Sequence, residues 1–125
     1  MDENQISYLV IGCVFSVYKA LGPGLLESAY HAVLLHVLRE EGLEVQSEVF
    51  LPVIYDGIIF DTGYRIDLLV ENLVLIEIKS VENLLPVHHK QVLTYLKLSN
   101  LKLGLLVNFN SSDISTAIVR KVNGF

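Results

Sequence analysis

Two stretches decide the fold: Tyr64-Arg65-Ile66-Asp67-Leu68-Leu69-Val70 and Leu73-Val74-Leu75-Ile76-Glu77-Ile78-Lys79. Both are dominated by β-branched and apolar residues. The second is apolar apart from its last charged pair, as a central strand buried on both faces would be. Glu71-Asn72 marks the turn between them. The charged residues inside these strands, Asp67, Glu77 and Lys79, are the informative exceptions, because burying a charge is costly unless a partner or a metal compensates it. A spacing of two puts Glu77 and Lys79 on one face of their strand. A plain two-residue loop would set Asp67 opposite Ile76 and send Asp67 and Glu77 to opposite sides, whereas a three-residue loop or a bulge brings them together. The latter is expected.

Outward from this pair, the period of the apolar residues changes. Toward the N-terminus, Leu43 to Tyr55 alternates with period two, Asp56-Gly57 reads as a hairpin turn, and Ile58-Ile59-Phe60 returns from it before Thr62-Gly63 interrupts. Earlier still, Ile6, Leu9, Val10, Cys13, Val14, Val17 and Leu21 recur at spacings of three and four, which predicts a first helix ended by Gly22-Pro23-Gly24. Leu26, Ala29, Tyr30, Val33, Leu34, Val37 and Leu38 predict a second, which stops at Gly42. Toward the C-terminus, Pro86 opens a third helix through about Leu98, and Leu103 to Val107 is an apolar strand that a helical crossover would place parallel to its partner. Residues 111–125 are ambiguous between a short helix and an edge strand. The order is helix, helix, three strands in a meander, helix, strand, an α/β class with a mixed central sheet flanked by helices.

The chain has 125 residues, 52% of them hydrophobic, with a mean hydropathy of +0.50. These values suit one compact domain over residues 1–125 and exclude a disordered tail. No apolar run is long enough to span a membrane and Met1-Asp2-Glu3 lacks a basic leader, so no membrane partner and a cytoplasmic location are expected. Cys13 is the one cysteine, which excludes an internal disulfide and a cysteine-rich zinc site; its place in an apolar stripe suggests burial. The net charge is −5, but residues 1–85 hold 13 of the 14 acids and 4 of the 9 bases. This balance argues against coating nucleic acid through a general positive field, though a metal bound among carboxylates would reverse the field locally.

If Asp67, Glu77 and Lys79 converge, two carboxylates and an amine around one cavity suit a hard divalent cation, Mg²⁺ or Mn²⁺ better than zinc. Asp67, Glu77 and the carbonyl of Ile78 would hold it. The ion would stabilise charge on a scissile phosphate and lower the pKa of a bound water, with Lys79 orienting that water or neutralising the phosphate. Adjacent His88-His89 point about 100° apart on a helix and are poorly placed to share an ion. His31 and His36, five apart, read as polar-face residues.

Asp67 followed by Glu77-Ile78-Lys79 resembles the D…ExK signature of the PD-(D/E)XK nuclease superfamily, and the strand and helix order matches its restriction-endonuclease-like core. The resemblance is closer to the GxxExxY family, small bacterial proteins assigned to that superfamily. The name motif reads here as Gly24-Leu25-Leu26-Glu27-Ser28-Ala29-Tyr30. Further matches are Leu21-Gly22-Pro23-Gly24, Gly63-Tyr64-Arg65, Pro86-Val87-His88 and Leu93-Thr94-Tyr95-Leu96-Lys97. Tyr18 departs from the pattern, since relatives often carry His there. By this resemblance Glu27 is a helix-borne acid that reaches the metal directly or through water; the residues alone equally allow a glutamate favoured by the helix dipole. Gln91 and Tyr95, four apart, resemble a pair in RecB-like members in which the Gln lies beside the metal site and the Tyr approaches nucleic acid. His88 extends the same stripe, and Arg65 is a further substrate-binding candidate.

Two functions are consistent with these residues. One is a metal-dependent nuclease that hydrolyses phosphodiester bonds of DNA or RNA with a metal-activated water. The other is a catalytically silent nucleic-acid-binding or assembly module that keeps the fold. An enzyme should leave Glu27, Asp67 and Glu77 around an open, hydrated space, whereas a module should pair them with Lys79 or Arg65 and close them off. A homodimer built through the first helix or the C-terminal tail is a further expectation.

Overall fold

The computed structural model describes residues 1–124. Helix α1 spans Glu3–Leu21 and begins at a capping box, in which Asp2 accepts from the Gln5 amide and Gln5 Oε1 accepts from the Asp2 amide. It buries Ile6, Val10, Cys13, Val14 and Val17, the apolar stripe of its sequence. Helix α2, Glu27–Glu40, buries Tyr30, Leu34 and Leu38. No helix among the described residues is long and apolar enough to cross a membrane.

Strands β1 (Val45–Phe50), β4 (Arg65–Val70), β5 (Val74–Lys79), β6 (Leu103–Asn108) and β7 (Ile118–Val122) form one sheet in the order β1-β4-β5-β6-β7. Only β5 and β6 are parallel, joined by α3 (Pro86–Ser99) as the crossover; the other pairs are antiparallel. Residues alternate across the sheet. On one side Val74, Ile76 and Ile78 of β5 join the buried faces of α1 and α2. On the other, Leu75 joins Val92, Tyr95 and Leu96 of α3. Gly104 is a point of close helix–sheet approach: a Cβ there would lie 2.9 Å from Val92 Cγ1 and 3.0 Å from Leu75 Cδ1. The architecture is the mixed α/β sheet flanked by helices that the sequence predicts.

Two segments differ from expectation. The alternating run from Leu43 to Tyr55 is not one strand but two, β1 and β2 (Val53–Tyr55), interrupted at Leu51-Pro52. Proline has no N–H to donate to a ladder, so the chain leaves the main sheet there. Strand β2 pairs only with β3 (Ile58–Phe60) in a separate hairpin, and β1 pairs with β4 instead. The three strands are therefore not a simple meander. The ambiguous tail contains both alternatives: a 3₁₀ turn at Ile114–Thr116, then β7 as an antiparallel edge strand beside β6.

Candidate metal and substrate site

The loop between β4 and β5 has three residues, since Val70 pairs with Val74. Glu71 and Asn72 both adopt positive φ, which allows the tight reversal. That register sets Asp67 opposite Glu77, but the ladder stops one step earlier, at Leu68 with Ile76. The side chains replace the missing backbone pairing. Asp67 N–H donates to Glu77 Oε1 at 3.1 Å, and Ile78 N–H donates to Asp67 Oδ2 at 2.8 Å. Two carboxylates are thereby fixed across a gap between strands.

The same transverse row continues into β1. Ser47 pairs with Leu68 and Val49 with Ile66, which brackets Glu48 opposite Asp67. Both strands change face at this row. Val45 packs with the α1–α2 core and Val49 with the α3 core, although residues four apart on a regular strand face the same way; Leu68 and Ile66 show the same switch. Glu48 has φ 55°, a left-handed backbone that a non-glycine residue rarely adopts inside a strand. Glu48, Asp67 and Glu77 form a row of acids where the sheet is locally irregular.

Glu27 comes to this row from α2. Tyr30 anchors the preceding loop: its hydroxyl donates to the Gly22 carbonyl and accepts from Leu25 N–H, while its ring stacks on Phe109 at 4.5 Å. Ser80, just beyond β5, donates its hydroxyl to the Leu25 carbonyl and its amide to Glu27 Oε2 at 3.4 Å. The first turn of α2 is thus tied to the end of the strand that carries Glu77. Tyr30 is fully buried, in keeping with its place on the apolar stripe of the second helix. A cavity of about 410 Å³ results, lined by Glu27, Ser28, His31, Glu48, Asp67 and Ile78.

Glu77 is 2% exposed. Burial, and then the negative charge of Asp67, push its pKa up to about 9. Among the described residues the ion pairs are His31 with Glu48 at 3.8 Å, inside this cavity, and Arg65 with Asp61 at 3.5 Å; no lysine or arginine forms an ion pair with Glu27, Asp67 or Glu77, although the charge of Lys79 acts on Glu77 against the upward shift. Ligand atoms of His31, Glu48 and Asp67 all lie within 4.8 Å of one another, a group that could hold a metal ion.

Of the remaining sequence candidates, three line a second cavity, and Lys79 and Arg65 line neither. His88, Gln91 and Tyr95 line a second cavity of about 350 Å³ with Tyr64, Lys90 and Thr94. Gln91 Nε2 donates to the Tyr95 hydroxyl at 3.1 Å, and the rings of Tyr64 and Tyr95 are 5.7 Å apart. Burial, followed by the charge of Glu77, raises the Tyr95 pKa, so the acidic row is felt from this side too. His88 Nδ1 accepts from Leu85 N–H at 2.9 Å and caps α3. Lys79, half-buried, follows Glu77 on β5 at the level of Asn108 in β6. Arg65 lies over the Phe50 ring, 4.8 Å from its centroid, and lines neither cavity. Tyr18 donates to the Ser111 carbonyl at 2.7 Å.

Sequence reasoning missed His31 and Glu48. His31 is not a bystander on the polar face but turns into the first cavity. The available signal was its spacing of four from Glu27, which places both on one side of α2. Glu48 gave none, because the change of face at the row breaks the alternation by which strand residues are assigned.

Residues 4–121 match the model of the PD-(D/E)XK nuclease superfamily. No curated protein matches the chain. Among solved structures, the crystal structure of SSO0001 is similar, with a TM-score of 0.61 and 25% identity over 79% of this chain and 51% of that one. This chain therefore spans about half the length of SSO0001. The family match runs from the first turn of α1 into β7 and takes in every element that frames the acidic row, and the chain belongs to the PD-(D/E)XK nuclease superfamily.

Proposed function

We propose that the chain hydrolyses phosphodiester bonds of nucleic acid with a divalent cation, Mg²⁺ or Mn²⁺, held by Asp67, Glu77, the Ile78 carbonyl and Glu27. The observation that carries this reading is the pair Asp67–Glu77, locked across a strand gap, with Asp67 lining an open cavity, Glu77 buried outside that lining, and no lysine or arginine in an ion pair with either among the described residues. A fold-only relic would be expected to pair Asp67 with Arg65 or Lys79 and close it off, whereas Asp67 opens to the cavity and Glu77 meets the cost of burial by keeping its proton. The donor set is all oxygen and carries several negative charges, which fits a hard divalent ion. When bound, that ion supplies charge stabilisation at the scissile phosphate and acidifies a water.

The chain's own residues would do the rest. Lys79 follows Glu77 on the same strand and would orient the attacking water or neutralise a phosphate oxygen. Gln91 would hold Tyr95, whose ring, with Tyr64 and His88, would receive the nucleic acid on the α3 side. Support for a GxxExxY-type protein comes from the division of labour in Gly24–Tyr30: Tyr30 clamps the loop and Glu27 is presented to the cavity. One five-stranded main sheet covered on both faces, within a family match from residue 4 to 121, supports reading the chain as one nuclease-like domain.

The test is cleavage of labelled single- and double-stranded DNA and RNA with Mg²⁺, Mn²⁺ or EDTA, comparing wild type with Asp67→Ala and Glu77→Ala. Metal-dependent cutting that both substitutions abolish is the expected result. Absence of cutting on every substrate, or equal cutting by the variants, would turn the reading to a binding module.

A further inference from the structure

His31 follows Glu27 by four residues on α2, so the two side chains reach the cavity from one side of the helix. Its ring is held at one nitrogen and turns the other toward the acids. Nε2 lies 2.7 Å from Ser47 Oγ, and Nδ1 lies 3.8 Å from Glu48 Oε1. A hydrogen bond at one imidazole nitrogen selects which nitrogen is left for a ligand, and here Ser47 leaves Nδ1 facing the acids. Ligand atoms of His31, Glu48 and Asp67 lie within 4.8 Å of one another. Bonds of about 2.1–2.5 Å around one divalent ion put adjacent ligands roughly 3–3.5 Å apart and opposed ones roughly 4–5 Å apart, a range within which small side-chain movements bring the three onto a single ion.

We infer that His31 Nδ1 and a Glu48 carboxylate oxygen join Asp67 as ligands to the divalent cation, and that the nitrogen donor makes the site select Mn²⁺ over Mg²⁺. The inference rests on the cation site proposed above and adds its selectivity. Mg²⁺ holds oxygen ligands and water and gains little from imidazole, whereas first-row transition ions accept nitrogen readily. A site of Asp67, Glu77, Glu27 and a carbonyl alone would hold both ions through oxygen. His31 adds a donor that Mn²⁺ accepts and from which Mg²⁺ gains little. Ser47 is a positioning residue, acting through the ring.

The test is Mn²⁺ and Mg²⁺ binding to the full chain by titration calorimetry, together with pulsed EPR of the Mn²⁺ form, for wild type, His31→Gln, Ser47→Ala and Asp67→Asn. Wild type should bind Mn²⁺ about tenfold or more tightly than Mg²⁺ and show ¹⁴N coupling from a coordinated imidazole. His31→Gln should lose the coupling and most of the preference by weakening Mn²⁺ alone, and Ser47→Ala should lose part of it. Equal affinities in wild type, or coupling that survives His31→Gln, would overturn the inference. If Asp67→Asn abolishes both ions while His31→Gln changes nothing, His31 is excluded and the oxygen site stands. If wild type binds neither ion, the proposed function falls with it. The wild-type spectrum needs no variant to fold.

Discussion

Asp67 and Glu77 face each other across the gap between β4 and β5, and each carboxylate accepts a hydrogen bond from the backbone of the opposite strand. The arrangement is at once a structural patch and an electrostatic liability. It repairs a broken ladder, but it confines two acids where only one can readily ionise.

The pH dependence of stability follows from Glu77. Its pKa in the folded chain is about 9 against an ordinary 4.5, so the folded state keeps a proton that the unfolded state releases between those values. Stability in EDTA should therefore be greatest below the lower value and decline as pH rises toward the upper one. Glu77→Gln keeps the acceptor for Asp67 N–H and supplies a permanent neutral donor. At pH 8 it should unfold several degrees higher than wild type, a gain of about 1–3 kcal/mol, with a flatter profile. Melting curves in EDTA from pH 5 to 9 measure both; a wild-type profile as flat as that of the variant would contradict this account.

Metal should have the opposite effect to alkali. A cation at the acidic row offsets the burial penalty and the repulsion from Asp67 that together raise the Glu77 pKa, so Mg²⁺ or Mn²⁺ should raise the melting temperature at pH 8. At a concentration 100 times its dissociation constant the expected gain is about 2.7 kcal/mol. Asp67→Asn should remove this response, which differential scanning fluorimetry reads directly.

Tyr30 links the core to the site. Its hydroxyl holds both Gly22 and Leu25, and that loop sets where Glu27 begins α2. Tyr30→Phe should keep the stack on Phe109 and cost about 1–3 kcal/mol from the lost hydrogen bonds. It should also lower metal affinity several-fold by loosening Glu27. Chemical denaturation and calorimetric metal titration separate the two effects; unchanged metal binding would mean that the loop does not position Glu27.

Gly104 should tolerate no side chain. An alanine Cβ meets Val92 and Leu75 at or below 3.0 Å, on the face where α3 packs against the sheet. Gly104→Ala should destabilise by about 1–3 kcal/mol through overpacking, without altering the acidic row. An unchanged denaturation midpoint would show that α3 shifts freely.

The hairpin makes a contrasting case. Ile54 and Ile59 are 64% and 67% exposed and pair with each other on a two-stranded sheet that stands apart from the main one. Replacing Ile59 with Thr should change stability by about 0.5 kcal/mol or less, because the side chain is already in water. Urea denaturation checks this; a loss comparable to that from Gly104→Ala would mean that the hairpin is part of the core.

The helices and the adjacency of the strands carrying Asp67 and Glu77 were legible because they follow from local rules, apolar period and chain breakers; loop parity narrowed the turn to three residues or a bulge, and the register of Val70 with Val74 decided for the former. Glu27 was legible only through a motif, since an acid in a first helical turn has an ordinary electrostatic explanation as well. Sequence alone thus determined the class of fold and the acids that interrupt its buried strands. The tertiary structure alone decided that Pro52 sends β2 out of the sheet, that Glu48 lines up with Asp67, and that His31 enters the cavity. The reason is that alternation predicts a side chain's direction only while a strand stays regular. Here β1 and β4 change face at the row where the site is built, and only the packing of two cores against both sides of the sheet reveals that change.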